Sequence, residues 1–216
     1  MKGRNKIMQT ITNNIILSGI KIGDFKINHT VKEEKFYKFI LEVRRSSGVS
    51  DFLPIIVSEK LLNDEIKESY FVHIEGEIRT YNKKNGGVEV YVFATEINKN
   101  EEESHINEVN LIGTMCIKRN FRTTSTGRKV QDFILAVNSR FNKSNYIPVL
   151  AWGSNANFVS NKQVSDMLKI TGRLQSRNYI KKDQNDNPIH KVAYEVSSSQ
   201  VNSYNKESKD ELVVNE

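Results

Sequence analysis

The sequence predicts an all-β chain of two tandem five-stranded barrels, each with one short helix. Two observations predict it. The first is an internal repeat. NIILSG at 14–19 resembles EVNLIG at 108–113, FILEV at 39–43 resembles FILAV at 133–137, and FLPIIV at 52–57 resembles YIPVLA at 146–151. All three pairs keep one offset, so Gly19 meets Gly113, Phe39 meets Phe133 and Pro54 meets Pro148. A fourth pair, IEGEI at 74–78 and ITGRL at 170–174, follows two residues later in the second copy. The second observation is that each copy is a run of short stretches with two-residue alternation, the period of a strand with one covered face.

The elements follow in order. An alternating strand opens each copy, at 109–115 in the second. A basic hairpin with Thr-Gly at its turn leads to strands at 130–138 and 145–152. A helix-like stretch comes next, then strands at 168–179 and 191–201. In the first copy the helix is read over SEKLLNDEIKES (58–69), which places Leu61, Leu62 and Ile66 on one face. The final hairpin of that copy carries NKKNGGVEV, whose Asn-Gly is a strong hairpin-turn signal. Three strands, a helix and two strands in about 90 residues is the order of the OB barrel, the five-stranded Greek-key barrel. The expected division is a basic segment at 1–12, a diverged OB domain at 13–98, an acidic linker at 99–106, a second OB domain at 107–202, and a short, mildly acidic, flexible tail at 203–216.

Composition narrows the class. The 216 residues are 38% hydrophobic and 27% charged, as in a globular protein. No apolar run approaches the ~20 residues needed to span a bilayer. The start, MKGRNKIMQTIT, lacks an apolar core of signal-peptide length, so a cytoplasmic protein with no membrane partner is expected. Cys116 is the only cysteine, which excludes an internal disulfide and a cysteine zinc site. The net charge of +6 is concentrated in the second copy, with fourteen Lys/Arg against six Asp/Glu between 107 and 200. A basic body points to a polyanion partner.

Catalysis has little support. The four histidines (His29, His73, His105, His190) have no ligand spacing, and no glycine-rich phosphate loop precedes a helix. No nucleophile–base arrangement stands out, and no metal or cofactor is expected.

Rings and cations carry more. In NYIPVLAWG (145–153), Tyr146, Pro148, Leu150 and Trp152 share one phase and Ile147, Val149 and Ala151 the other. Both phases are largely apolar, so one is covered or faces a ligand. In GRLQSRNY (172–179), Arg173, Gln175, Arg177 and Tyr179 share the phase expected to face water. With Phe141, these rings are interleaved with Arg140, Lys143, Arg173, Arg177, Lys181 and Lys182. Side chains two apart on a strand face are about 6.5–7 Å apart. That spacing suits extended, unstacked nucleotides, with rings on bases and cations on phosphates.

From about Asn107 to Val201 the chain resembles the bacterial single-stranded-DNA-binding proteins. The resemblance rests on NEVNLIGTMCIKRNFRTTSTGRKVQDFILAVNSRF, NYIPVLAWG and GRLQSRNY. It implies sequence-independent binding and protection of single-stranded DNA in replication, recombination or repair, in a cytoplasmic, nucleoid-associated protein without enzymatic activity. It implies base-stacking roles for Phe141, Tyr146, Trp152 and Tyr179, and matches Arg122 to the basic residue of the first hairpin. Where many members have Asp-Pro-Glu, this chain has Lys118-Arg119-Asn120, a change expected to strengthen phosphate attraction.

The first copy departs further. Phe52 keeps the place of Tyr146, but Ser58 replaces Trp152 and Ser47 replaces Phe141. Its strand matching GRLQSRNY carries Glu75, Glu77, Arg79 and Tyr81 on the outward phase, two carboxylates that repel a phosphate chain. Arg44, Arg45, Phe52, Arg79, Tyr81, Lys83 and Lys84 are its candidate contacts, and a chiefly structural role is the alternative. The resemblance to fused two-domain members implies a homodimer with four OB folds, with a monomer as the rival. The ending VNSYNKESKDELVVNE lacks the acidic Pro-Phe tip with which the family recruits other proteins, so tail-mediated recruitment is not expected. Two other readings fit the same residues: a protein-interaction module of a primosome or of a mobile-element or conjugation complex, and a single-stranded RNA binder.

Overall fold

A computed structural model of the chain describes residues 12–83, 87–139 and 143–205. Residues 1–11 and 206–216, the Asn85-Gly86 turn, and the candidate contacts Lys84, Arg140 and Phe141 lie outside the described residues. The first repeat forms β1 (Asn13–Val31), β2 (Glu34–Arg44), β3 (Ser50–Ser58), α1 (Asp64–Glu68), β4 (Phe71–Asn82) and β5 (Val88–Lys99). The second forms β6 (Ile106–Lys118), the two-residue β7 (Arg122–Thr123), β8 (Lys129–Asn138), β9 (Ser144–Trp152), α2 (Gly153–Ser160), β10 (Met167–Lys182) and β11 (Pro188–Ser203).

Each repeat closes on itself. β1 pairs with β2 and β4, β2 with β3, and β4 with β5, all antiparallel, and β3 meets β5 in a short parallel closure. The second repeat closes the same way, with β6 on β8 and β10 and a parallel closure of β9 on β11. This is the OB topology. The alternation seen in sequence becomes the core: Phe39, Leu41, Val43, Leu53 and Ile55 are buried in the first barrel, and Phe133, Leu135, Val137, Ile147 and Val149 take the same places in the second. The repeated glycines mark close backbone approaches. A Cβ on Gly19 would fall on the carbonyl of Glu42, and one on its counterpart Gly113 on that of Ala136.

The expected helix over 58–69 is broken in two. A 3-10 turn spans Glu59–Leu61, Leu62 is extended, and α1 starts afresh at Asp64. Asn63 causes the break. Its side chain accepts from the Ile66 amide at 2.8 Å and caps the new helix, holding residue 63 itself out of helical geometry. Only Ile66 of the three predicted apolar residues is fully buried.

β1 and β6 pair antiparallel and join the barrels into one sheet, with Ile15 opposite Val109, Asn13 opposite Leu111 and Leu17 opposite Asn107. Ile15 and Val109 are themselves equivalent in the repeat. A local two-fold axis therefore passes between them and exchanges the barrels. That axis creates two equivalent seams. In one, the Ser176 amide donates to Asp51 Oδ1 at 2.7 Å and the Phe52 amide donates to Ser176 Oγ at 3.1 Å. In the other, the Thr80 amide donates to Asn145 Oδ1 and the Tyr146 amide to Thr80 Oγ1, both at 3.0 Å.

Candidate nucleic-acid interface

The inner phase of β9 is Asn145, Ile147, Val149 and Ala151, all buried. The outer phase leaves Tyr146 49% exposed and Trp152 partly exposed, with Leu150 covered where β11 pairs alongside. The question the sequence left open is settled: Ile147, Val149 and Ala151 build the core, and the two rings look outward. Six residues of strand separate them, about 20 Å along one face. Tyr179 is 37% exposed, on the part of the β10–β11 hairpin where every residue from Arg177 to Lys182 is exposed.

The row Arg173, Gln175, Arg177, Tyr179 is not uniformly open. Gln175 is buried and donates to the buried carboxylate of Glu195 at 3.0 Å. Arg177 is exposed but its Nε rests on the same carboxylate at 3.2 Å. Arg173 is half-buried beside the first barrel. Strand alternation alone could not show this, because Glu195 comes from the paired strand β11 and the residues beside Arg173 from the neighbouring barrel.

Several predicted phosphate contacts already have a carboxylate. Arg122 pairs with Asp132, and Lys182 with Asp186 at 2.9 Å. Such exposed pairs hold their cations weakly, at about 0–1 kcal/mol, and leave them free to exchange onto a phosphate. Lys143 and Lys181 are exposed and have no ion pair among the described residues. Lys118 behaves otherwise than expected. Its ammonium donates to the carbonyls of Ser160 and Lys162, at 3.1 and 2.5 Å, and so satisfies the C-terminal end of α2 instead of facing solvent.

In the first barrel the outward phase also differs from expectation. Glu77 is buried and paired with Arg79 at 3.1 Å, and the Arg79 guanidinium lies 3.6 Å from the Phe93 ring centre. Only Glu75 of the two carboxylates is exposed there. Tyr81 stands open, Lys83 pairs with Glu89 at 3.5 Å, and Arg44 with Glu103 at 3.7 Å. Arg45 places two N–H groups on Asp51, both at 2.6 Å, and that hydrogen-bonded carboxylate raises its pKa.

The seams bring together residues that sequence reading placed in separate domains. Phe52 of the first barrel shares a groove with Arg177, Asn178 and Tyr194 of the second, beside Arg45. Tyr194 was not foreseen; its hydroxyl pKa is raised by burial. A second hollow sets Arg128 and Lys129 of the β7–β8 hairpin next to Trp152 and Gly153. The signal for those two cations lay in the basic Thr-Gly hairpin, without a reason in sequence to tie it to Trp152. No group of three His, Cys, Asp or Glu could hold a metal among the described residues.

Rings and cations on an OB barrel direct the comparison with known proteins. Residues 106–204 match the model of the Single-strand binding protein family. The match spans the second barrel, from β6 to the end of β11. A single-stranded DNA-binding protein from Clostridium tetani is 36% identical over 85 residues, covering 36% of this chain and 59% of that protein. One from Streptococcus mutans is 36% identical over 81 residues, covering 34% of this chain and 49% of its own. The chain thus spans about half to three fifths of these relatives' length. Across both barrels, the single-stranded DNA-binding protein of Thermus aquaticus superposes with a TM-score of 0.72 over 90% of this chain and 93% of its own, at 21% identity. That likeness is one of fold, and it covers both barrels.

Proposed function

We propose that the chain binds single-stranded DNA without sequence preference and protects it during replication, recombination or repair. The observation that carries this is the outward placing of Tyr146, Trp152 and Tyr179 on a barrel that matches the single-strand binding protein family. Rings that stack on any base, with cations that take any phosphate, bind a strand and do not read it. In this reading Tyr146, Trp152 and Tyr179, with Phe141, stack bases. Arg122, Arg140, Lys143, Arg173, Arg177, Lys181 and Lys182 take phosphates, and Arg128 and Lys129 join them beside Trp152. Phe52, Tyr81, Arg44 and Arg45 of the first barrel make secondary contacts. The role is one of binding and not of catalysis, and no helix is long and apolar enough to cross a membrane among the described residues.

The assembly in this reading is a homodimer with four barrels, the arrangement that the resemblance to fused two-domain members implies. Trp152 is the only tryptophan, so its fluorescence reports directly on the proposed site. Titration with oligo-dT at moderate salt is expected to quench it, and the mass of the saturated complex to give two chains. An unquenched Trp152 together with no change in mass on adding oligo-dT would reject the reading. Matched RNA competing as well as DNA would move it to single-stranded nucleic acid in general.

A further inference from the structure

The two seams are equivalent by the local two-fold axis but not in charge. At the first, Asp51 is buried and fully engaged, taking both Arg45 N–H groups and the Ser176 amide. Asn145, its counterpart at the second, has an amide nitrogen without a partner. Ser139 stands where the first barrel has Arg45, and Glu77 stands where the second barrel has Arg173. Among the described residues, the other seam therefore has no cation at the places of Arg45 and Arg173.

There, a cavity of about 370 Å³ is lined by Arg44, Arg45, Ser46, Ser47, His105 and Arg173. Two carboxylates lie nearby and both are taken, Asp51 by Arg45 and Glu103 by Arg44 at 3.7 Å and by His105 at 3.3 Å. The Arg173 Nε is buried and has no hydrogen-bond partner. Its pKa is lowered, first by burial and then by the like charge of Arg45. The Asp51 carboxylate offsets part of this, but its hydrogen bonds go to Arg45 and Ser176, so a guanidinium that stays charged is held half-buried without a hydrogen-bonded anion of its own.

We propose that this seam pocket seats one backbone phosphate of a single DNA strand crossing between the barrels, with Arg173 as its principal ligand. This rests on the single-stranded DNA reading above. A phosphate oxygen pair matches the guanidinium fork, and the hydroxyls of Ser46 and Ser47 stand by as further donors. Arg45 lines both this pocket and the groove holding Phe52, so a phosphate seated here lies next to a ring on which its base can stack. The other seam has Glu77 in the equivalent place, so this arginine site is not repeated there.

The test is oligo-dT affinity across a series of NaCl concentrations, for the full chain and for Arg173→Gln. One phosphate on a single strand contributes about 0.7 to the slope of log K against log salt. The Arg173→Gln slope is expected to be shallower by about that amount, with no fall in the thermal midpoint of the free protein, since a buried charge lacking a partner is removed. Arg173→Lys keeps the charge and is expected to keep the slope. Lys67→Gln, on α1, is expected to leave it unchanged. A parental slope in Arg173→Gln with DNA binding intact overturns the seam site and leaves the functional reading standing. No binding of oligo-dT by the parent chain at any salt overturns that reading, and the seam site with it.

Discussion

Phe39 and Phe133 fill the same place in the two barrels, as do Leu41 and Leu135, yet Ser58 stands where the second barrel has Trp152. The cores are nearly interchangeable and the outer faces are not. On the second barrel the outer phase of β9 shows Tyr146 and Trp152. On the first, the Ser58 hydroxyl donates to Glu34 at 2.5 Å and accepts from the Lys60 amide at 3.2 Å, tying β3 to β2 and to the start of the 3-10 turn. One position thus stabilises a local turn in one copy and presents a ring in the other. The fold fixes which positions face outward and leaves their chemistry free.

The largest expected effect concerns the seam that unites the copies. Asp51→Ala strands Arg45 beside Arg173, and breaking such a buried pair costs about 3–5 kcal/mol. Urea unfolding is the measurement; a loss under 1 kcal/mol would show that the barrels do not depend on this seam. Next comes binding. Trp152→Ala is expected to weaken oligo-dT affinity by about 1–3 kcal/mol through the lost stack, read by a labelled oligonucleotide because the intrinsic reporter is gone. The converse change, Ser58→Trp, places a ring on the first barrel; a gain in affinity would show that the scaffold there is ready to bind and lacks only the side chain. The smallest effect is expected from Arg122→Gln. Its pairing with Asp132 is exposed, so stability should move by no more than about 1 kcal/mol, while the salt slope should fall by up to about 0.7.

Much of this was legible in the sequence because it depends on period and repeat. The alternation of FILEV and FILAV gave the buried faces, and the fixed offset gave two barrels of one kind. The outward rings of NYIPVLAWG followed once one phase was assigned to the core. What was hidden depends on contacts across the two-fold axis. GRLQSRNY contains nothing to say that Arg173 is covered while Arg177 and Tyr179 are open, since the charged residues beside it, Arg45 and Asp51, lie over a hundred positions away. Lys118 read as a free cation because its acceptors, the carbonyls of Ser160 and Lys162, exist only once α2 has formed. The break at Asn63 was visible in principle: an Asn three residues before Ile66, ahead of two acidic residues, is a helix start and not a helix interior.

The central claim is that one fold is unequally loaded, with the second barrel stacking the bases. Two double variants compared side by side test it most directly: Trp152→Ala with Tyr179→Ala, and Phe52→Ala with Tyr81→Ala, each titrated with labelled oligo-dT at the same salt. The expected result is a loss of about 2–6 kcal/mol in the second-barrel pair and about 1 kcal/mol in the first, from the stacking energy per ring and the number of rings engaged. Equal losses in the two pairs, or a larger loss in the first-barrel pair, would contradict it.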